Sequence, residues 1–454
     1  VCVWLQENLL HKGYCSHVRI NQNIIMAIKE ILTTFIQNKK KKKVGENILA
    51  LTLMNAVNLL SPLLLIPYLI RVLGAEYYGV YIFAWTFISY FIMLVNYGYD
   101  LYATKQVAIH KNDKLYLSAI FYSITASRVL LAVVSSIIVV VCVWLIPEFN
   151  AHSILILYGI GVFVGQSLHP TWLFQGMEEM KFITIITLVT RLIPIVFIYI
   201  FVKGIADYYY ITLFQSVGYL FGAALAFFVA MKRYQLIVKI PTYSEILLQL
   251  KSSWTLFLST LGITLYRETN VLILGFMTGN YTLVGYYALA DKFLRLFQMM
   301  ITPIGQALFP HFGNTFKENK ELAFAQFHKI GRFFLLFLFS LAIFVFAFSP
   351  IMTEMYLGDV FPSINKDIRV LSLVIIVSGI SYLYGVVGLV NLGKEKQFAI
   401  FVFIAGVINI LTSFALSRPL GDLGAALAVT LSEVVLCILV VHTFVKIKNN
   451  KSVQ

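Results

Sequence analysis

Charge is what this chain has least of. Asp, Glu, Lys and Arg make up 12% of its 454 residues, against about 25% in an average soluble domain. With 59% hydrophobic residues and a mean hydropathy of +0.84, that shortage excludes a globular enzyme on a single anchor. Cysteine is sparse too. Cys2, Cys15, Cys142 and Cys437 form no CxxC or Cys/His spacing, so neither a disulfide framework nor a metal site is expected, and Cys142 and Cys437 read as packing residues. Walker A, Gly-rich dinucleotide and HExxH motifs are missing. Catalysis, a bound cofactor and ATP-driven pumping by this chain are therefore not expected. Long loops on the side opposite the basic loops are also lacking, which argues against a membrane-embedded glycan polymerase or ligase.

What is present is apolar sequence in runs of about 20 residues, the length that crosses a ~30 Å hydrocarbon core. The chain reads as an all-α polytopic membrane protein. Twelve spans are predicted, at 48–70, 80–98, 117–146, 153–173, 182–202, 208–231, 254–277, 283–309, 333–356, 367–391, 397–417 and 422–445. Spans three and eight are long enough to tilt or to project beyond the bilayer.

Loop charge alternates. One set of loops carries Lys105, Lys111, Lys114, Lys181, Lys232, Arg233, Lys239, Lys251, Lys317, Lys320, Lys329, Arg332, Lys394 and Lys396, together with Lys39–Lys43 and Lys446, Lys448 and Lys451. The other set carries only Arg71, Lys203, Lys366, Arg369 and Arg418. Basic loops stay in the cytoplasm, so both termini are expected there. This topology also accounts for the net charge of +14, and no nucleic-acid partner is expected. Tyr77, Tyr78, Tyr81, Tyr208–Tyr210 and Tyr286–Tyr287 fall near the outer boundary. They read first as an interfacial aromatic belt and second as sugar-stacking candidates.

Residue 1 is Val, and Met26 is an alternative start. Residues 1–38 hold no continuous apolar core, so no signal peptide is expected. Ile24, Ile25, Ile28, Ile31, Leu32, Phe35 and Ile36 share one helical face. That pattern fits either a helix lying in the membrane interface or a poorly ordered tail. Lys39–Lys43 would face the anionic cytoplasmic leaflet.

The two halves repeat. Leu73-Gly74 precedes Gly79-Val80-Tyr81, and Leu274-Gly275 precedes Gly285-Tyr286-Tyr287. Gly176 to Phe182 matches Gly393 to Phe398 in the same order. Parallel repeats are related by an axis along the membrane normal, with the path for substrate between them. The expected organisation is a cytoplasmic tail (1–44), an N-lobe of helices one to six (45–231), a cytoplasmic linker (232–253), a C-lobe of helices seven to twelve (254–445) and a short tail (446–454).

Five cations fall inside spans: Arg128, Arg191, Arg267, Lys292 and Arg295. By insertion scales, a charge at the bilayer centre costs roughly 2.5–3.5 kcal/mol. Arg191 is ~14 Å into its span at 1.5 Å per residue, and Arg267 ~20 Å into its own. Each cation can be read as an interhelical ion pair or a snorkelling side chain. As a set they exceed the two carboxylates at similar depth, Glu268 and Asp291, and that surplus points to an anionic substrate. Asp291 and Arg295 are i,i+4 and can pair. Glu268 and Asp291 are candidates either for salt bridges or for coupling to H⁺ or Na⁺. Pro194 offers a kink beside Arg191. Asn55, Asn58, Pro62 and Pro67 interrupt span one and are candidate gating residues, with plain helix packing as the competing reading. Asn96 and Asp100 end span two, and Asp100 reads as an interfacial residue.

Several stretches resemble the bacterial polysaccharide repeat-unit flippases of O-antigen and capsule pathways. They are PYLIRVLGAEYYGVYIF (67–83), YGYDLYATKQVAIHKND (97–113), TWLFQGMEEMKFITI (171–185) and LYRETNVLILGFMTGNYTLVGYYALADKFLRLFQMMITPIGQALFPHFG (265–313). These flippases share a superfamily with the multidrug and toxin extrusion (MATE) transporters and the lipid II flippases. The resemblance covers about residues 45–445. It implies a MATE-like fold of twelve helices in two six-helix lobes, with a central cavity opening alternately to each side. It implies a flippase in the bacterial inner membrane whose substrate is an undecaprenyl-diphosphate-linked glycan. A polysaccharide polymerase and glycosyltransferases would be its partners, besides membrane lipid. The cation-lined lumen of the family maps onto Arg128, Arg191, Arg267, Lys292 and Arg295. Arg267-Glu268 is a local departure. Two other readings stand beside this one: a cation-coupled multidrug exporter of the same fold, and a scaffold of the polysaccharide machinery that moves no substrate.

Overall fold

The computed structural model of the chain describes residues 39–358 and 361–449. These are helical almost throughout and contain no β-strand. Cys2, Cys15 and the amphipathic face at 24–36 lie outside the described residues. The helices are α1 Lys39–Asn96, α2 Tyr99–Ile109, α3 Lys114–Leu145, α4 Pro147–Asn150, α5 Ser153–Leu157, α6 Ile160–Leu168, α7 Thr171–Gly176 and α8 Met180–Phe201. They continue as α9 Tyr210–Tyr234, α10 Tyr243–Thr278, α11 Tyr281–Gln298, α12 Thr302–Glu318, α13 Lys320–Leu357, α14 Pro362–Ser381, α15 Glu395–Leu420 and α16 Asp422–Asn449. A π-helical segment, Tyr382–Val390, extends α14.

Local chemistry sets the boundaries. Asp113 accepts from Tyr116 N–H at 3.0 Å, and Asn319 accepts from Leu322 N–H at 3.0 Å, each satisfying a donor that the first turn leaves open. Thr242 and Glu245 form a reciprocal capping box at the start of α10. α1 is two apolar arms joined at Gly74, where φ is 73° and ψ 172°, a backbone state that glycine enters without strain. Helical geometry runs unbroken through Pro62 and Pro67, so the break falls at Gly74 and not at the prolines proposed as hinges. α8 likewise continues through Pro194.

Three expected spans are less regular than the sequence implied. Span four is divided among α5, α6 and α7. Pro170 has no N–H to donate, and His169 before it is extended (φ −91°, ψ 99°), the conformation favoured before proline. Span seven is bent by 56° between Tyr243–Gly262 and Arg267–Thr278. Span eight stops at Gln298 and resumes as α12 at Thr302.

Among the described residues, nine helices are long and apolar enough to cross a membrane, ten if the bent α10 counts as one span. Val129, Val133, Ile137 and Trp144 lie exposed along α3, and Phe333, Leu336, Ile343 and Phe346 along α13. Apolar stripes of that extent are incompatible with water and natural against lipid.

The second arm of α1 crosses α11 at close range. A Cβ on Gly79 would strike the backbone of Tyr281 and Gly285, and one on Gly285 would strike Ala75. At the same end, Phe83 lies 5.2 Å from Phe276 and 5.4 Å from Tyr281 (ring centroids), with Phe149 5.4 Å from Phe276. At the opposite end Tyr97 stacks on Phe257 at 4.5 Å, and Leu256 packs against Gly98. The two halves therefore touch at a Gly74 end and at a Gly98 end, and the cavities lie between.

Candidate functional site

Four cavities follow one another, the first three bordered by α11. The first, about 100 Å³, is lined by Ser61, Pro62, Tyr78, Tyr81 and Trp85 of α1, Arg191 of α8, Gln215 of α9 and Lys292 of α11. The second, about 300 Å³, shares Pro62, Ile66 and Lys292 with it and adds Asn55, Asn58, Leu63, Arg295, Leu296 and Met299. Arg295 also borders a third, with Arg267, Tyr287, Asp291, Gln298, Asn409 and Glu433. Arg267 leads on to a fourth of about 360 Å³, with Ser89, Asn96, Asp100, Thr260, Thr264 and Glu268.

Four of the five cations expected at the site thus border cavities. Arg128 borders none of the four. Arg128 is 1% exposed, and its guanidinium donates to His169 C=O at 2.8 Å and to Asn96 Oδ1 at 2.7 Å. Gln166 donates to the same Asn96 oxygen at 2.7 Å. The guanidinium is thus bonded on two sides and buried away from these four cavities. It ties α3 to the end of α1 and to the break before Pro170.

The other four differ in how far they are neutralised. Arg295 Nε donates to Asp291 Oδ2 at 2.6 Å, the expected i,i+4 pair, and its Nη1 lies 3.4 Å from Glu268 Oε1. Its Nη2 donates to the Arg267 carbonyl at 3.1 Å. Glu268 lies just beyond the bend in α10. Arg191 donates to Asn58 Oδ1 at 3.3 Å and lies 5.9 Å from the Tyr219 ring centroid, partners that leave its charge whole. Lys292 makes no ion pair among the described residues and is exposed to the cavity.

Charge is therefore sorted across α11. The first two cavities are lined by Arg191, Lys292 and Arg295 and by no carboxylate. Asp291, Glu433, Glu268 and Asp100 line the third and fourth. The overall surplus of cations read from the sequence shrinks, but on the side of α1 and α8 it persists.

Other residues change role. Tyr78 and Tyr81 are 1% and 7% exposed. They face the first cavity and are not part of an interfacial belt. With Trp85 they form a stripe at i, i+3 and i+7, and that spacing was the available signal. Asp100 borders the fourth cavity. Asn55, Asn58 and Pro62 line the second cavity, and Pro67 borders none of the four. Cys142 and Cys437 are half-buried. Sequence reasoning missed Gln215, Glu433 and the buried Asn270, whose amide donates to Tyr287 and Asn409 at 3.2 Å. Single polar residues within apolar spans carry no pattern to mark them.

Residues 44–316 match the model of a family described as polysaccharide biosynthesis protein. The chain belongs to that family. A relative from Escherichia coli (strain K12), named "Putative O-antigen transporter", is 27% identical over 414 residues, 91% of this chain and 99% of its own. One of the same name from Shigella dysenteriae is 26% identical over 86% of this chain and 97% of its own. The fold of this polysaccharide biosynthesis family member is shared with a lipid II flippase in an inward closed conformation, at a TM-score of 0.61 and 14% identity, covering 87% of each chain. It is also shared with an inward-facing MATE multidrug transporter, at 0.59 and 15%, covering 85% and 98%. The family member is thus a multi-pass membrane protein of MATE-like architecture.

Proposed function

We propose that this protein is a flippase, which turns an undecaprenyl-diphosphate-linked oligosaccharide repeat unit from the cytoplasmic to the outer leaflet for surface polysaccharide assembly. The observation that carries the reading is that Arg191 and Lys292, from opposite halves of the chain, line one cavity free of carboxylates. A guanidinium presents a planar fork to phosphate oxygens and an ammonium a point charge. Together they suit a diphosphate. Tyr81 and Trp85 beside them offer faces on which a sugar ring can stack. The adjoining second cavity has a mostly apolar wall, which suits the lipid portion. Relatives named as O-antigen transporters support the substrate class.

In this reading the protein lies in the bacterial inner membrane with both termini in the cytoplasm, and the Gly74 end faces outward. Twelve spans form two lobes, 45–231 and 254–445, that rock about the cavity. Glycosyltransferases supply the substrate and a polymerase consumes the product.

The test replaces Arg191 and Lys292 with Ala, singly and together, at equal membrane abundance. A hydrogen bond to a charged group is worth roughly 1.5–3 kcal/mol, so flipping should fall about tenfold or more when either cation is removed. Labelled lipid-linked repeat unit should accumulate in the inner leaflet while surface polysaccharide declines. Unchanged polysaccharide in all three variants would reject the anion path.

A further inference from the structure

The second half holds a pair of carboxylates that the cavity does not use. Asp367, on the second turn of α14, is 0% exposed, and Asp422, the first residue of α16, is 8% exposed. α14 packs along α16, and the two carboxylates are near enough to act on each other electrostatically. Yet neither oxygen of Asp367 and not Oδ2 of Asp422 meets a donor. Two carboxylates are acceptors only, so their nearness requires something positive in between.

Among the described residues no side chain donates to either oxygen of Asp367 or to Oδ2 of Asp422. Lys366 is near enough to act on Asp422 electrostatically, but it is exposed and forms no ion pair among the described residues. Arg369, one turn away on α14, turns to the Phe346 ring on α13 at 5.4 Å. Thr353 of α13 commits its hydroxyl to Asn365 Oδ1 at 2.8 Å. From α11 the neighbour at this junction is apolar: Leu283 closes on Gly421. A metal ion is poorly served. Hard cations take six or more oxygen ligands, and no group of three His, Cys, Asp or Glu among the described residues is set to hold one.

We propose that Asp367 and Asp422 form a proton-binding site, holding one proton between them and carrying a single net negative charge. Two carboxylates sharing a dry site cannot both stay ionised. Loss of the proton would set two like charges against each other between α14 and α16. The strain would reach α11 through Gly421 and Leu283, and α11 carries Lys292. The site would therefore register protons at the Gly74 end of the molecule. The proton site does not depend on what the cavity carries.

Difference infrared spectroscopy of the full chain in lipid nanodiscs tests it. A carboxylic-acid carbonyl band is expected at neutral pH, and labelling with ¹³C-aspartate should shift it, which needs no variant. The band should be lost in Asp367→Asn and in Asp422→Asn, both near-isosteric with the neutral acid. Replacing sodium by choline should leave it unchanged. Failure of the label to shift any acid band, or persistence of the band in both variants, would overturn the proposal. So would a band that appears only when sodium is withdrawn, because a metal ion would then occupy the site.

Discussion

Gly79 and Gly285 lie face to face where the second arm of α1 crosses α11, close enough that neither position has room for a methyl group. They are also the two glycines that the internal repeat sets in register. Each half thus contributes the same element to the contact that closes the Gly74 end. The missing side chains let two helical backbones meet directly, as small residues do in membrane helix pairs.

Gly79→Ala and Gly285→Ala should each destabilise the protein by about 1–3 kcal/mol, because the added carbon meets backbone that cannot give way. The measurement is thermal unfolding of the purified protein in detergent. Wild-type midpoints in both variants would refute the close crossing.

Arg295→Met should leave Asp291 and Glu268 without their cation. Breaking a fully buried pair costs roughly 3–5 kcal/mol, and less is expected here because the Arg295 side chain is 24% exposed. Adding Asp291→Asn and Glu268→Gln should restore much of the lost stability. If the triple variant melts no higher than Arg295→Met, the three side chains do not act as one cluster.

Arg128→Gln should lower folded yield, and Arg128→Lys should do so as well, since one ammonium cannot reproduce the forked contacts to His169 and Asn96. Arg191→Lys should fold normally. Membrane abundance and size-exclusion profile separate the two classes. Full abundance of Arg128→Gln with loss of flipping alone would return Arg128 to the substrate path.

Glu179 sits in the turn between α7 and α8. Burial alone would raise its pKa, but hydrogen bonds from Arg233 and Tyr234 outweigh it and hold the carboxyl below its ordinary value. A depressed carboxylate stabilises the fold above its unfolded pKa, near 4.3 for Glu, and that contribution is lost as pH falls through the lower folded value. Arg233 is 44% exposed, so the effect is modest. Glu179→Gln should melt below wild type at neutral pH, with the gap closing as the medium is acidified below the Glu range. A gap that stays constant with pH would show that the ion pair is not its source.

The helical class and the membrane habitat were legible because each is written along the chain as run length. The pairing of Asp291 with Arg295 was legible for a similar reason, since it lies within one helix. Arg128 and Arg191 could not be told apart this way. Both are single arginines in apolar spans, and only their neighbours make one a sealed brace and the other a cavity wall. Tyr81 was assigned to the interface by its distance from a span end, whereas its direction around the helix axis turns it to the first cavity.

Sequence by itself determined how much of this chain must leave water. Hydropathy and loop charge add up residue by residue and need no partner. Tertiary structure alone decided where charge resides. Glu268, beyond the bend in α10, meets Arg295, Lys292 and Arg191 line one cavity, and α14 packs on α16 with Asp367 and Asp422 buried at their junction. In a low-dielectric interior the fate of a charge depends on what lies within a few ångströms, and that distance is fixed by folding and not by order along the chain.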